Sequence, residues 1–145
     1  MIYADSSAVL AWILDQDRAT EVGGILAGAS EITCSALTVF ECDRVLRRGA
    51  AGGTLSREEA ERFEEALRQA ARTWAVKEIT PEVLAAARRT FPREPMRALD
   101  AIHLGTALHL RREFPDLVFL ALDRRLADNA ALLGFEVLPP RPPDR

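Results

Sequence analysis

Four acidic residues stand where an apolar run ends or an amphipathic helix begins. They are Asp5 after Ile2-Tyr3-Ala4, Glu41 after Leu37-Thr38-Val39-Phe40, Asp100 within Arg97-Ala98-Leu99-Asp100-Ala101-Ile102-His103, and Asp123 after Val118-Phe119-Leu120-Ala121-Leu122. An ionised carboxylate buried without a partner is costly, and two held close together repel by a few kcal/mol at intermediate dielectric. A fold that gathers all four would therefore favour a divalent cation among them. Mg²⁺ takes oxygen ligands, keeps several waters and binds one or two carboxylates together with a substrate phosphate. One or two such ions activate water and stabilise charge that develops on a phosphodiester. Ser7, two residues after Asp5, offers a hydroxyl to a metal-bound water or a phosphate; it reads equally well as a polar residue in a first helical turn.

Each acid also has an ordinary explanation. Asp5 and Asp123 serve as helix N-caps, contributing about 1 kcal/mol each. Thr38 and Glu41 match a capping box, and Glu41 can pair with Arg44 one turn on. Asp100 is the hardest to dismiss, because its helical neighbours are apolar and its nearest basic residue is Arg97. Taken together, two acids at strand ends and one on a buried helix face point to a single pocket.

Other chemistries fit less well. The two histidines, His103 and His109, both follow Asp100 on one helix, and His103 shares its face. His103 reads as a satisfied helix histidine rather than a metal ligand. No Gly-rich phosphate loop or dinucleotide turn is present. Cys34 and Cys42 are too few for a disulfide framework and lack metal-site spacing.

The elements that would position the acids alternate. Met1 to Ala4 reads as a short buried strand, followed by a helix capped by Asp5 or Ser6. A second helix spans about Arg18 to Leu26, with Gly28 ending it. Glu31 to Cys34 is a strand, and Ser35 precedes a helix that runs to Arg48 and stops at Gly49. Ser56 and Glu59 form a capping box that opens a helix to about Arg72. Val76 to Ile79 is a brief strand, and Thr80-Pro81 starts a helix ending before Pro92. A long helix covers roughly Met96 to Glu113, Leu117 to Leu122 is the clearest buried strand, and Asp123 caps a helix to Leu133. Gly134 leads into a last strand, Phe135 to Leu138. Short strands alternating with helices predict an α/β fold with a mostly parallel central sheet flanked by helices on both faces. Ligands bind such sheets at the carboxyl ends of the strands, where Asp5 and Asp123 lie. The expected organisation is one domain over residues 1–138, followed by an extended proline-rich tail over residues 139–145.

At 145 residues and 48% hydrophobic content the chain can bury one sizeable core. Its apolar stretches are broken well short of 18 residues, so no membrane span is expected. The N-terminus lacks the basic-then-apolar pattern of a secretory signal. A cytoplasmic location with reduced thiols follows as the expectation. The net charge of −3 argues at first against nucleic acid, but setting the four acids aside leaves a balance of +1. The cations are almost all arginine, with Lys77 the only lysine, and arginine suits bidentate phosphate contacts.

Read together, four segments resemble the PIN-domain ribonucleases, and within them the VapC-type toxins of bacterial toxin–antitoxin pairs. These are Ile2-Tyr3-Ala4-Asp5-Ser6-Ser7-Ala8, Ser35 through Glu41, Arg97 through Leu104, and Leu122 through Ala127 with Ala130-Ala131-Leu132-Leu133-Gly134. The resemblance covers nearly the whole chain, and the third segment is its most specific part. It implies a PIN-like domain and a Mg²⁺-dependent endoribonuclease, with Mn²⁺ as an alternative ion. The family's catalytic and metal-binding acids fall on Asp5, Glu41, Asp100 and Asp123. It further implies a homodimer and a small antitoxin whose basic tail reaches the acidic pocket. The family often carries Thr or Ser two residues before the last acid, where this chain has Ala121. Helices around Thr38 to Arg48 and Ser56 to Arg72 would frame an apolar groove for that partner, with Leu55, Phe63, Leu67 and Trp74 as candidate lining.

On this reading a metal-activated water attacks an RNA phosphodiester while arginines hold the backbone. Arg44, Arg97 and Arg124 are the leading backbone contacts, with Arg47, Arg48 and Arg125 close in sequence. Two competing readings remain open at this level: a receiver-like phospho-acceptor domain, and a PIN-like module that only binds a basic peptide.

Overall fold

A computed structural model of the chain describes residues 1–140. Five strands form one sheet: β1 (Ile2–Ala4), β2 (Ile32–Ser35), β3 (Ala75–Lys77), β4 (Val118–Leu120) and β5 (Val137–Leu138). Their order is β3-β2-β1-β4-β5, and every pairing is parallel. Seven helices connect them among the described residues: α1 (Ser6–Ile13), α2 (Ala19–Gly28), α3 (Ala36–Ala51), α4 (Arg57–Thr73), α5 (Pro81–Ala87), α6 (Ala98–Leu110) and α7 (Arg124–Leu132). The α/β architecture expected from the sequence is present, and the sheet is wholly rather than mostly parallel.

Period-two alternation puts successive residues of a strand on opposite faces, and the two cores follow from it. Ile2, Ala4 and Leu120 join Val9, Val22, Leu46 and Phe63 on one side. Tyr3, Phe119 and Ala121 join Leu104, Leu126 and Phe135 on the other. Helices α1 to α4 thus cover one face, and α6 and α7 the other. Strand order runs outward from β1 in both directions, so the crevice between the carboxyl ends of β1 and β4 is the topological switch point.

Several boundaries differ from the sequence expectation. Gly28 is the last residue of α2, as expected, but Gly49 lies inside α3, which continues to Ala51. Helix α6 occupies Ala98–Leu110 rather than Met96–Glu113, because loop contacts hold residues 91–97 against α7: Asn129 Oδ1 accepts from the Arg93 N–H at 2.8 Å, and Asn129 Nδ2 donates to the Arg93 carbonyl at 3.2 Å. The capping box of Ser56 and Glu59 is present, whereas the cap of α3 is Ser35, which accepts from the Leu37 N–H. Of the expected extended tail, residues 141–145 lie outside the described residues.

The apolar groove expected between α3 and α4 resolves into two. Leu55 and Phe63 line a cavity of about 580 Å³ with Leu14 and Val45. Leu67 lines another, of about 640 Å³, with Ala36, Val39 and the exposed Phe40. Trp74 lines neither and stacks on Trp12, with ring centroids 5.9 Å apart. All four residues pack into the core covered by α1 to α4, and the open space beside α3 is divided between the two cavities.

Helix α6 must lie close to α5, and Gly105 permits it. A Cβ there would stand 2.8 Å from both the Ala87 nitrogen and the Val83 carbonyl oxygen. Gly105→Ala is expected to destabilise the fold by about 2 kcal/mol, as overpacking against backbone does. Gly24→Ala in α2, where nothing lies within 4 Å, should stabilise it by up to about 1 kcal/mol. Urea unfolding of both variants checks the pair; equal effects would contradict the close crossing.

Candidate active site

Strand β1 turns directly into α1, so Asp5 is delivered to the carboxyl end of the central strand. Its carboxylate caps α1: Oδ1 accepts from the Ala8 N–H at 3.1 Å and from the Ser7 hydroxyl at 2.7 Å. The Asp5 N–H donates to the Leu120 carbonyl at 3.1 Å, pinning it beside β4. Three residues beyond Leu120, Asp123 caps α7, its Oδ1 accepting from the Leu126 N–H at 2.9 Å. Ser7 joins the two acids. While donating to Asp5, its oxygen accepts from the backbone N–H groups of Leu122 at 2.8 Å and Asp123 at 2.9 Å. A serine hydroxyl has one hydrogen and two lone pairs. These bonds use all three, so Ser7 couples the Asp5 and Asp123 turns and has no capacity left for a metal-bound water or a phosphate.

Glu41 and Asp100 come from facing helices, α3 and α6. Glu41 is not in a capping box, and it meets His103 rather than Arg44: its Oε2 lies 2.6 Å from His103 Nε2. Thr38 is buried and donates to the Ala4 carbonyl at 3.3 Å, which holds α3 against β1. His103 is 1% exposed, and its Nδ1 lies 2.9 Å from the Tyr3 hydroxyl. Asp100 is half-buried, and its Oδ2 is buried with no hydrogen-bond partner among the described residues.

The electrostatics tie the four acids into one group. Burial pushes the Asp5 carboxyl from 3.8 up to about 6; nearby His103 and the bonds from Ser7 and Ala8 oppose this, and the Asp123 charge adds to it. Asp100 is raised by burial first, then by Asp123 and Glu41, against the pull of Arg97 and His103. Burial also raises Glu41, but the His103 contact and the Ser6 hydroxyl outweigh it and leave the carboxyl below its ordinary value. Tyr3 is driven well above 10 by burial and by the Asp5 charge. Asp123 thus acts electrostatically on Asp5 and Asp100, and Glu41 on Asp100.

Such a group suits a hard divalent cation. The donors are all carboxylate oxygens, and one buried oxygen, Asp100 Oδ2, has no partner among the described residues. Among the described residues no group of three or more acidic, histidine or cysteine side chains is placed to hold a metal ion. Mg²⁺ chemistry asks less of the protein: one or two carboxylates suffice, and water and substrate phosphate complete the shell.

An open cavity of about 600 Å³ is lined by Ser7, Ala11, Gln16, Asp17, Leu122 and Asp123, so of the four acids it is Asp123 that borders it. Arg97 and Arg124 are exposed beside Asp100 and Asp123, and Arg44 is exposed three residues from Glu41. Arg47 is paired with Asp43, and Arg125 donates to the Pro95 carbonyl. Ala121 is buried in the core between the sheet and α7, so its side chain does not face the acids. Sequence reasoning missed Tyr3 as a site component and treated His103 as merely satisfied; the shared face with Asp100 was the available signal. For Asp17, in a polar loop, there was none.

A PIN domain family model matches residues 2–139. The chain belongs to the PIN domain family. No curated protein sequence matches it significantly. Among solved structures, this PIN domain is similar to Mycobacterium tuberculosis VapC20, described as a toxin that cleaves the sarcin–ricin loop, at 17% identity and a TM-score of 0.67, covering 97% of this chain and 100% of that one. It is similar to a chain of a toxin–antitoxin complex from Klebsiella pneumoniae at 17% identity and a TM-score of 0.65, covering 97% and 98%. A chain of FitAB bound to a DNA fragment aligns at 17% identity and a TM-score of 0.67, covering 95% and 94%. At these identities the likeness establishes the fold. No helix among the described residues is long and apolar enough to cross a membrane.

Two outcomes follow. The native Asp5 carboxyl holds its proton more tightly than the unfolded chain does, so through this group metal-free stability falls as pH rises from about 4 to 6 and stays low above. Asn caps a helix as well as Asp, so Asp5→Asn should melt higher than wild type at pH 7.5 in chelator. The gap should shrink as pH is lowered through 6; a lower melting point for the variant at pH 7.5 would contradict the assignment. Ser7→Ala strands two backbone donors and should lower the unfolding free energy by about 2 kcal/mol in urea. A change within about 0.5 kcal/mol, the range of ordinary surface substitutions, would count against the clamp.

Proposed function

We propose that this chain is a metal-dependent endoribonuclease of the VapC toxin type, inhibited by a small antitoxin with a basic tail. The observation that carries the reading is the partnerless buried oxygen of Asp100 within a coupled group of four carboxylates at the switch point. Asp5, Asp100 and Glu41 would hold the Mg²⁺ or Mn²⁺ ion directly or through water, and Asp123 would complete the shell or hold a second ion. When bound, the ion supplies a more acidic water and screens charge on the phosphate. The chain's own residues orient that chemistry. Ser7 and the backbone bonds around Leu120 keep Asp5 and Asp123 at a set separation. Arg97 and Arg124 are placed to draw the RNA backbone across the acids, with Arg44 further along α3; such contacts carry affinity without base specificity.

The same acids explain how a basic peptide would inhibit. A lysine or arginine inserted among them would neutralise the charge that the ion otherwise balances. A homodimer and a cytoplasmic location belong to this reading as well. The receiver-like alternative has weak support, since the only lysine, Lys77, lies on the edge strand β3.

RNA cleavage should require added Mg²⁺ or Mn²⁺ and stop with EDTA. Asp5→Asn and Asp100→Asn should each lower it by at least about a hundredfold, the scale on which removing a group that stabilises transition-state charge acts, while cooperative unfolding persists. Sequencing of RNA ends after expression checks the same reading in the cell. Full cleavage by the folded Asp5→Asn/Asp100→Asn double variant would reject it, and metal-independent capture of a basic peptide without cleavage would favour the binding-only module.

A further inference from the structure

The acids are held in place by a feature that the nuclease reading does not use. Tyr3 on β1, His103 on α6 and Glu41 on α3 form a continuous chain of polar contacts through the interior, bridging 100 and 62 residues of sequence. Tyr3 is fully buried and stacks on Phe119, with ring centroids 5.2 Å apart, while its hydroxyl reaches His103 Nδ1. The far end is the Glu41 carboxylate, at 2.6 Å from Nε2.

The donor inventory assigns the protons. A bare imidazole nitrogen cannot sit 2.6 Å from a carboxylate oxygen, because two lone pairs would face each other; Nε2 therefore carries hydrogen and donates to Glu41. In the neutral ring this leaves Nδ1 bare, and the Tyr3 hydroxyl donates to it. The acceptor-only carboxylate thus fixes a hydrogen on Nε2, and the Tyr3 hydroxyl, which can donate or accept, holds the ring from the Nδ1 side. Packing alone would not require this arrangement, since a buried polar network can be replaced by apolar residues of similar volume at little or no loss of stability.

We propose that Tyr3 and His103 are positioning residues, a buried relay that fixes the rotamer of Glu41 so that its other oxygen is presented to the acidic pocket. The relay rests on the nuclease reading only for its purpose; its geometry stands apart from it. Groups that orient ligating carboxylates from behind typically change metal affinity ten- to a hundredfold when removed. Tyr3→Phe keeps the ring and its stack and removes only the hydroxyl. His103→Leu removes both links, and His103→Gln retains an amide donor where Nε2 stood.

The test has two independent readouts on the full chain. Mn²⁺ affinity by electron paramagnetic resonance should weaken about tenfold in Tyr3→Phe and at least as much in His103→Leu, with His103→Gln restoring much of it. Cleavage by Tyr3→Phe should recover as Mn²⁺ is raised to saturation, a loss of metal affinity rather than of turnover. Nitrogen-15 NMR of the metal-free wild type should show His103 as the Nε2–H tautomer, with the signature altered in Tyr3→Phe. Wild-type Mn²⁺ affinity in folded Tyr3→Phe, or an Nδ1–H tautomer in the wild type, would overturn the relay. If the wild type neither binds Mn²⁺ nor cuts RNA, the nuclease reading fails, and the tautomer alone decides whether the relay exists.

Discussion

The site depends on negative charge being gathered where the protein itself cannot fully neutralise it. Asp5 is almost completely buried, Asp100 has an oxygen without a partner, and each is pushed toward the neutral form by burial and by other acids. Ordinary folding selects against such an arrangement, because a buried carboxylate gains stability only from donors or counter-charges. Here the donors are few: two for Asp5 Oδ1, one helix N-terminus for Asp123, and an imidazole and the Ser6 hydroxyl for Glu41. The crowding that remains is the property on which cation binding, the approach of an RNA phosphate and inhibition by a basic peptide would all draw.

Structural and functional readings of these acids turn out to be the same reading. Asp5 and Asp123 are N-caps, as the bland explanation has it, and capping is what orients them. A capping carboxylate commits one oxygen to a backbone N–H at a helix start, and that start lies at the carboxyl end of a parallel strand. The βα junction therefore delivers an acid with a fixed rotamer to the switch point. Ser7 extends the device from one junction to two, since its hydroxyl spans β1 and β4 turns that are more than a hundred residues apart. On the helical side the relay through His103 performs the corresponding task for Glu41.

Much of this was legible in the residue order. The short apolar runs Ile2-Tyr3-Ala4 and Val118-Phe119-Leu120, the capping box at Ser56 and the strand–acid–helix junctions at Asp5 and Asp123 led to a doubly covered parallel sheet with acids at its rim. Boundaries were less legible where tertiary contacts overrode local signals: Gly49 sits inside α3, and Asn129 straps the loop before α6 so that α6 starts later. The expected groove of Leu55, Phe63, Leu67 and Trp74 was misread, because helical spacing says which residues share a helix but not which flank of a neighbour each one meets.

The chain's order alone determined that acids would end strands and open helices, since apolar runs, caps and turn residues act over a few positions and are written consecutively. It also determined an oxygen-rich set with no thiolate or imidazole cluster. Only the tertiary structure decided that Glu41 would face His103 rather than Arg44, that Tyr3 would stand behind them, and that Asp100 would keep an oxygen free of partners. Those outcomes depend on how closely α3, α5 and α6 approach across the sheet, with Gly105 setting one of the distances. Side-chain contacts between elements a hundred residues apart leave no periodic trace along the chain, because packing distance, not sequence spacing, selects the partner.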